Sequence, residues 1–281
     1  MKFAIVQLAT PQTQFLHVLH DPMRSLLFAL EDLGHDVIVD KNQFHPDRIN
    51  ILINALCLHK DTISALIAGN IDYVIWQTEA LSDQGINLCS GKTPEDLKGL
   101  GDKNTLRQYL IVLAHARMIW ECFIFNQNWL QKTQIKADLL QFGYHPGLET
   151  RPKKENPDID MLFFGSLTDY RSRILKDRYE KGELKICTTD PNLMRDEQLR
   201  RSKINLALRA DDRYLTHNNS LRIHTALYAN VMSVAENCEE LEYMNDMCLL
   251  VAPENVFPTC EKLLKTGEWK DLTIEHKKAF Q

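Results

Sequence analysis

Short apolar runs of strand length recur along this chain. Each is separated from the next by a segment whose apolar residues fall at helical spacing. Nearly continuous apolar strands belong in a sheet covered on both faces, and strands joined through helices run parallel. In the first half, residues 2–8 (KFAIVQL), 36–40 (DVIVD), 51–54, 71–77 (IDYVIWQ) and 118–125 read as strands. Residues 23–33, 61–68, 105–116 and 127–136 read as helices, with Gly34 placed to end the first of them. Residues 82–104 carry four glycines and many charges without clear periodicity, which predicts a long loop over a site.

The pattern breaks at residues 143–157 (GYHPGLETRPKKENP), a proline-, glycine- and charge-rich stretch of linker composition. It then restarts. Strands are expected at 159–164, 184–188, 204–208, 231–235 and 248–252. Helices are expected at 170–179, 194–201, 219–229 (capped by Asn218 or Asn219), 241–245 and 255–266, with Asn230 taking a left-handed conformation. The fold class is therefore α/β, with two Rossmann-like, doubly wound parallel-sheet domains facing across a cleft. The boundaries run 1–145 for an acceptor-side domain, 146–157 for the linker, 158–268 for the second domain, and 269–281 for a helical tail packed back on the body. A length of 281 residues suits two such domains, and 44% apolar residues exclude a disordered chain.

The net charge of -5 disfavours an electrostatically driven nucleic-acid binder, though it allows a local basic cleft. Seven scattered cysteines form no C-x-x-C and no zinc spacing, so the reading is buried free thiols, no metal site and a cytoplasmic, reducing compartment. The N-terminal run is a strand rather than a signal peptide, and no stretch approaches the length of a membrane span.

Ligands of open α/β sheets lie beyond the carboxyl ends of the strands. Four such ends carry candidate residues. Phe164-Gly165-Ser166 leads to Arg171 and Arg173, a strand exit and helix start suited to an anion; the same residues also read as a turn with two solvated arginines. Residues 215–236 hold Asn219, Ser220 and Arg222 at a helix start, where a cation opposes the helix dipole unless an anion is bound. Glu79, just past a buried strand, reads as a general base, or equally as a cap or ion-pair partner. Thr10 and Gln12, at the exit of the first strand, would line the acceptor side. Neither a G-x-G-x-x-G fingerprint nor a Walker A motif occurs.

Taken in order, these segments resemble the two-domain GT-B glycosyltransferases, and most of all the short bacterial group related to glycosyltransferase group 1 and to spore-maturation-type proteins. The likeness is carried by Leu140-Gln141-Phe142-Gly143-Tyr144-His145-Pro146, by residues 158–167 followed by Arg171 and Arg173, by residues 203–208, by Arg222 through Glu236, and by residues 76–81. It implies sugar transfer from a nucleotide-diphosphate sugar to a hydroxyl acceptor (glycan, protein, lipid or small molecule), without a metal and with no cofactor besides the donor substrate. Gly165, Ser166, Arg171, Arg173, Asn219, Ser220 and Arg222 would hold the donor diphosphate, and Glu79 would take the acceptor proton if the enzyme inverts. Departures are Asn230 for a glycine, Thr225 for the acid that binds ribose in many relatives, and Ala9-Thr10-Pro11-Gln12 for a glycine-rich loop. A similar arrangement occurs in phage enzymes that glucosylate hydroxymethylated DNA bases, an acceptor the net charge disfavours. Rival readings are a nucleotide-sugar epimerase on the same fold and a non-catalytic GT-B binding subunit.

Overall fold

The computed structural model describes residues 1–10, 19–83, 85–86, 103–149, 152–188, 192–210 and 220–281. It divides into two compact units, Met1–Gln141 and Phe142–Gln281.

Unit 1 contains β1 (Lys2–Gln7), α1 (His20–Asp32), β2 (Asp36–Lys41), β3 (Ile49–Ile53), α2 (Lys60–Ala68), β4 (Tyr73–Gln77), β5 (Leu81–Ser82), β6 (Gly85–Ile86), α3 (Lys103–His115), β7 (Met118–Glu121), α4 (Ile124–Lys132) and β8 (Asp138–Leu139). Its main sheet has the order β2-β1-β3-β4-β7-β8, and every pairing in it is parallel. Ala4, Val6, Leu52 and Ile75 pack with Leu66, Tyr109, Leu113 and Leu130 in one buried cluster, which explains the apolar runs. The strand expected over 118–125 stops at Glu121. There the Glu121 carboxylate accepts the Phe123 N–H (3.0 Å), turning the chain, so the apolar residues from Ile124 onward begin α4. The expected loop over 82–104 includes all of the β5–β6 hairpin but Leu81, and the start of α3; most of the rest lies outside the described residues.

Unit 2 contains β9 (Ile159–Phe164), α5 (Asp169–Glu180), β10 (Leu184–Cys187), α6 (Asn192–Arg200), β11 (Ser202–Ala207), α7 (Leu221–Tyr228), β12 (Met232–Glu236), β13 (Leu249–Val251), α8 (Val256–Thr266) and α9 (Trp269–Phe280). Its sheet order is β10-β9-β11-β12-β13, again all parallel. Alternate residues of β9 enter different cores: Met161 and Phe163 join the cluster of Leu175, Leu206, Val234 and Leu263, whereas Leu162 and Phe164 join Leu199, Ala226 and Val231. That is the signature of a strand buried on both faces. The short helix expected over 241–245 is instead a 3-10 helix over Glu239–Met244. Asn230 has φ +55 and closes α7, while the Val231 N–H reaches back to Ala226 O (2.9 Å).

The chain from Phe142 onward is held on unit 2. Tyr228 of α7 donates to Gly143 O and accepts from the His145 N–H, both at 2.9 Å. Lys277 of α9 sets its ammonium 3.0 Å from Glu149 and over the rings of Tyr144, Tyr228 and Phe280. Six cysteines are described, all free, and five of them are buried. Among the described residues no helix is long and apolar enough to cross a membrane.

Candidate functional site

In unit 2 the chain runs from β9 outward to β10 and then back to β11 on the other side of β9, so the strand order reverses between β9 and β11. The carboxyl ends of those strands are where a ligand of such a sheet sits. Gly165 follows β9 with φ +128 and keeps its N–H in the sheet, donating to Cys187 O (2.9 Å). A Cβ at this position would lie 2.9 Å from Arg222 Nε and 3.1 Å from its Nη2. The glycine thus meets two demands, the left-handed backbone and the space for a guanidinium.

Arg222, half-buried in the first turn of α7, donates from Nε to Phe164 O (3.0 Å) and from Nη1 to Leu208 O (3.4 Å). Burial pushes its pKa down to about 10, which leaves it charged at neutral pH. Arg171, on α5, is only 3% exposed. Its Nε donates to Arg209 O (2.8 Å), Nη1 to Ser166 O (2.9 Å) and Nη2 to Leu208 O (2.8 Å). Burial first, and the like charge of Arg222 second, lower its pKa. Both guanidinium groups lie near the Phe163 ring, at 5.5 and 5.8 Å from its centroid. Thr168 caps α5 by accepting the Arg171 N–H (3.3 Å) and donates to Ala210 O (2.7 Å), so the α5 start is tied to the exit of β11.

A second cluster adjoins the first. Arg209, just past β11, is 2% exposed, and Glu236, the last residue of β12, is fully buried. Glu236 Oε2 accepts the Arg209 N–H (2.6 Å) and lies 3.4 Å from Arg209 Nε, while Oε1 accepts the Tyr170 hydroxyl. Burial opposes the charge of Arg209, but Tyr170 and Glu236 outweigh it and raise the pKa above the ordinary value. Arg209 Nη1 is buried and has no hydrogen-bond partner among the described residues.

The structure therefore brings Gly165, Ser166, Arg171 and Arg222 together at one end of the unit 2 sheet. Ser166 is exposed, with its carbonyl held by Arg171. Arg173 is exposed on α5, its guanidinium 5.8 Å from the centroid of the Tyr170 ring. Ser220 is the N-cap of α7 in place of Asn218 or Asn219, and its side chain makes no capping bond. The helix consequently begins two residues later than expected. Asn219 lies outside the described residues. Arg209 and Tyr170 were not singled out from the sequence, and Glu236 entered only as the end of a segment that carries the resemblance, with no site role. The signal was there: a charged residue directly after an apolar strand run, and an acid ending another.

In unit 1 the order reverses between β1 and β3. Thr10, half-buried, follows β1; Gln12 lies outside the described residues. The adjacent end of β3 is Asn54, in the left-handed region (φ +64), donating to Leu8 O (3.0 Å). Glu79 stands past β4, with its backbone fixed from two sides. Gln77 accepts the Glu79 N–H (3.1 Å) and donates to its carbonyl (2.6 Å), and Asn126 donates to the same carbonyl (2.7 Å). The side chain is half-exposed, 3.4 Å from Thr78 Oγ1. Burial raises the pKa of the Cys57 thiol, with a smaller contribution from the Glu79 charge.

No family model and no curated protein sequence matches the chain. Solved structures do match over its whole length. An alpha-glucosyltransferase in complex with UDP is 10% identical, aligns over 99% of this chain and 94% of that one, and gives a TM-score of 0.58. T4 phage BGT in complex with its UDP-glucose substrate is 12% identical over 99% and 94%, with a TM-score of 0.55. Sucrose-phosphate synthase from Thermosynechococcus elongatus is 10% identical over 98% and 93%, with a TM-score of 0.59. The likeness establishes the fold: two Rossmann-like α/β domains of the GT-B type, as the sequence led one to expect.

Proposed function

We propose that the chain is a glycosyltransferase that moves a sugar from a nucleoside-diphosphate donor to a hydroxyl acceptor. One observation carries the reading. At the order reversal of the unit 2 sheet three guanidinium groups gather: Arg171 and Arg222 donate to backbone carbonyls, and Arg209 engages the carboxylate of Glu236. A surplus of buried positive charge at such a strand end is compensated by an anionic ligand. As the glycosidic bond breaks, negative charge builds on the leaving diphosphate, and fixed guanidinium groups stabilise it without reorganising. The GT-B fold, and the UDP and UDP-glucose bound by its structural neighbours, support the choice of donor.

Gly165, Ser166, Arg173, Ser220 and Arg222 are proposed to line the donor site, with Arg171 shaping the strand ends. Glu79 is proposed as the base that takes the acceptor proton: its backbone is rigid and its carboxylate is half-exposed. We infer that no metal is needed, because guanidinium groups supply the charge. T4 phage BGT has been captured with UDP and Mn2+, so activity in EDTA is the direct check. Thermal unfolding with UDP, GDP, ADP, CDP and TDP tests the donor. At least one should raise Tm and Arg222→Ala should reduce the shift; no shift with any of them overturns the reading. Glu79→Gln should abolish transfer while leaving donor binding intact.

A second reading concerns the acceptor. One neighbour holds UDP and a 13-mer DNA containing a HMU base. Hydroxymethylated pyrimidine DNA is therefore a specific acceptor to assay. A net charge of -5 predicts weak, strongly salt-dependent DNA binding, confined to a local basic surface.

A further inference from the structure

We propose that Arg209, bracketed by Glu236 and Tyr170, is the guanidinium that pairs with a phosphate of the donor, while Arg171 serves only as a strut. The assignment rests on reading unit 2 as the domain that binds a nucleoside diphosphate. Each of the three nitrogens of Arg171 donates to a backbone carbonyl. Arg209 is different. Its Nε and its backbone N–H both address one oxygen of Glu236, whose other oxygen is occupied by Tyr170. Both carboxylate oxygens are thereby engaged, yet Arg209 Nη1 remains buried without a partner among the described residues. A buried N–H left without an acceptor is costly, and on a cation the acceptor that best offsets the cost is an anionic oxygen.

The balance of charge leads the same way. Arg171, Arg209 and Arg222 against Glu236 leave a surplus of two positive charges among these four side chains. A sugar-linked diphosphate, with one negative charge on each phosphate, matches it. The bracket also fixes the fork. Glu236 holds the Nε edge, and the guanidinium carbon lies 6.0 Å from the Tyr170 ring centroid, so the remaining N–H groups keep one orientation. Glu236 and Tyr170 are positioning residues in this scheme and touch no substrate.

The test is calorimetric binding of the nucleoside diphosphate that gives the largest thermal shift, and of its parent nucleoside, to the full chain. Arg209→Met should weaken diphosphate binding by about tenfold or more and leave nucleoside binding unchanged, because only the phosphate contact is lost. Glu236→Gln should give a smaller loss of the same kind. Arg209→Lys keeps the charge, but an ammonium held by Glu236 cannot also reach a phosphate; it should lose affinity as well, and it serves if Arg209→Met does not fold. Millimolar guanidinium should restore part of the affinity in Arg209→Ala, a rescue that a merely structural role would not show. Wild-type affinity in both Arg209→Lys and Glu236→Gln, with Arg222→Ala impaired, overturns the assignment and leaves the donor reading standing. Failure of the wild type to bind any nucleoside diphosphate overturns both.

Discussion

Single side chains at the end of β9 carry more of the site than their number suggests. Gly165 is adjacent in space to Arg222, and any side chain there must move a guanidinium and hold a strained backbone at once. Gly165→Ala should therefore cost about 1–3 kcal/mol of stability, the usual range for a residue forced into a disfavoured backbone region. It should also weaken nucleoside-diphosphate binding, because Arg222 loses its hold on Phe164 O. Urea denaturation and calorimetry on the same variant measure the two effects. At this scale the sequence was only partly informative. Arginine at 171 and 222 was visible as positive charge near a strand end. Whether a guanidinium spends its N–H groups on carbonyls or keeps them for a ligand depends on which backbone oxygens the fold brings within 3 Å. Arg171 and Arg209 diverge on that point.

The strands were legible because burial on both faces demands an unbroken apolar run. Residues 159–164 match β9 residue for residue. Helix starts were less so, because they depend on local bonding that periodicity does not register. Glu121 turning the chain before α4, and Ser220 displacing the asparagines as N-cap of α7, are the two cases. The end of α7 was legible, since asparagine tolerates the left-handed region better than most residues. Asn230→Ala should destabilise unit 2 by about 1 kcal/mol. Asn230→Gly should be neutral or slightly stabilising, and thermal unfolding of the pair compares them directly. At the strand-order reversals, Asn54 after β3 donates to Leu8 O after β1 in unit 1, and Arg222 donates to both Phe164 O at the end of β9 and Leu208 O after β11 in unit 2. Glu79, past β4, stands away from the reversal of its own sheet.

Across the whole molecule, the buried histidines described as pushed toward neutrality both belong to unit 2. Burial lowers the pKa of His224 to about 4, and that of His276 below its ordinary value. The unfolded chain then takes up protons first as pH falls, so stability is highest above the unfolded value near 6.5 and declines as pH drops toward 4. His224 alone should remove about 2 kcal/mol by pH 5. His224→Gln should flatten the decline, measured as urea midpoints between pH 7 and pH 5. The arginine ties described at the strand ends also have a temporal side. Arg171 reaches residues 37 and 38 positions ahead, Arg222 reaches back 58, and Tyr170 meets Glu236 across 66. Contacts that distant in sequence form only after the strands they join have found each other. The end of unit 2 proposed to bind the diphosphate is thus assembled late, and a molecule stalled with β9 and β10 paired but β11 and β12 still loose would lack the proposed phosphate grip. Immobilised nucleotide would accordingly retain finished molecules and let the stalled ones pass.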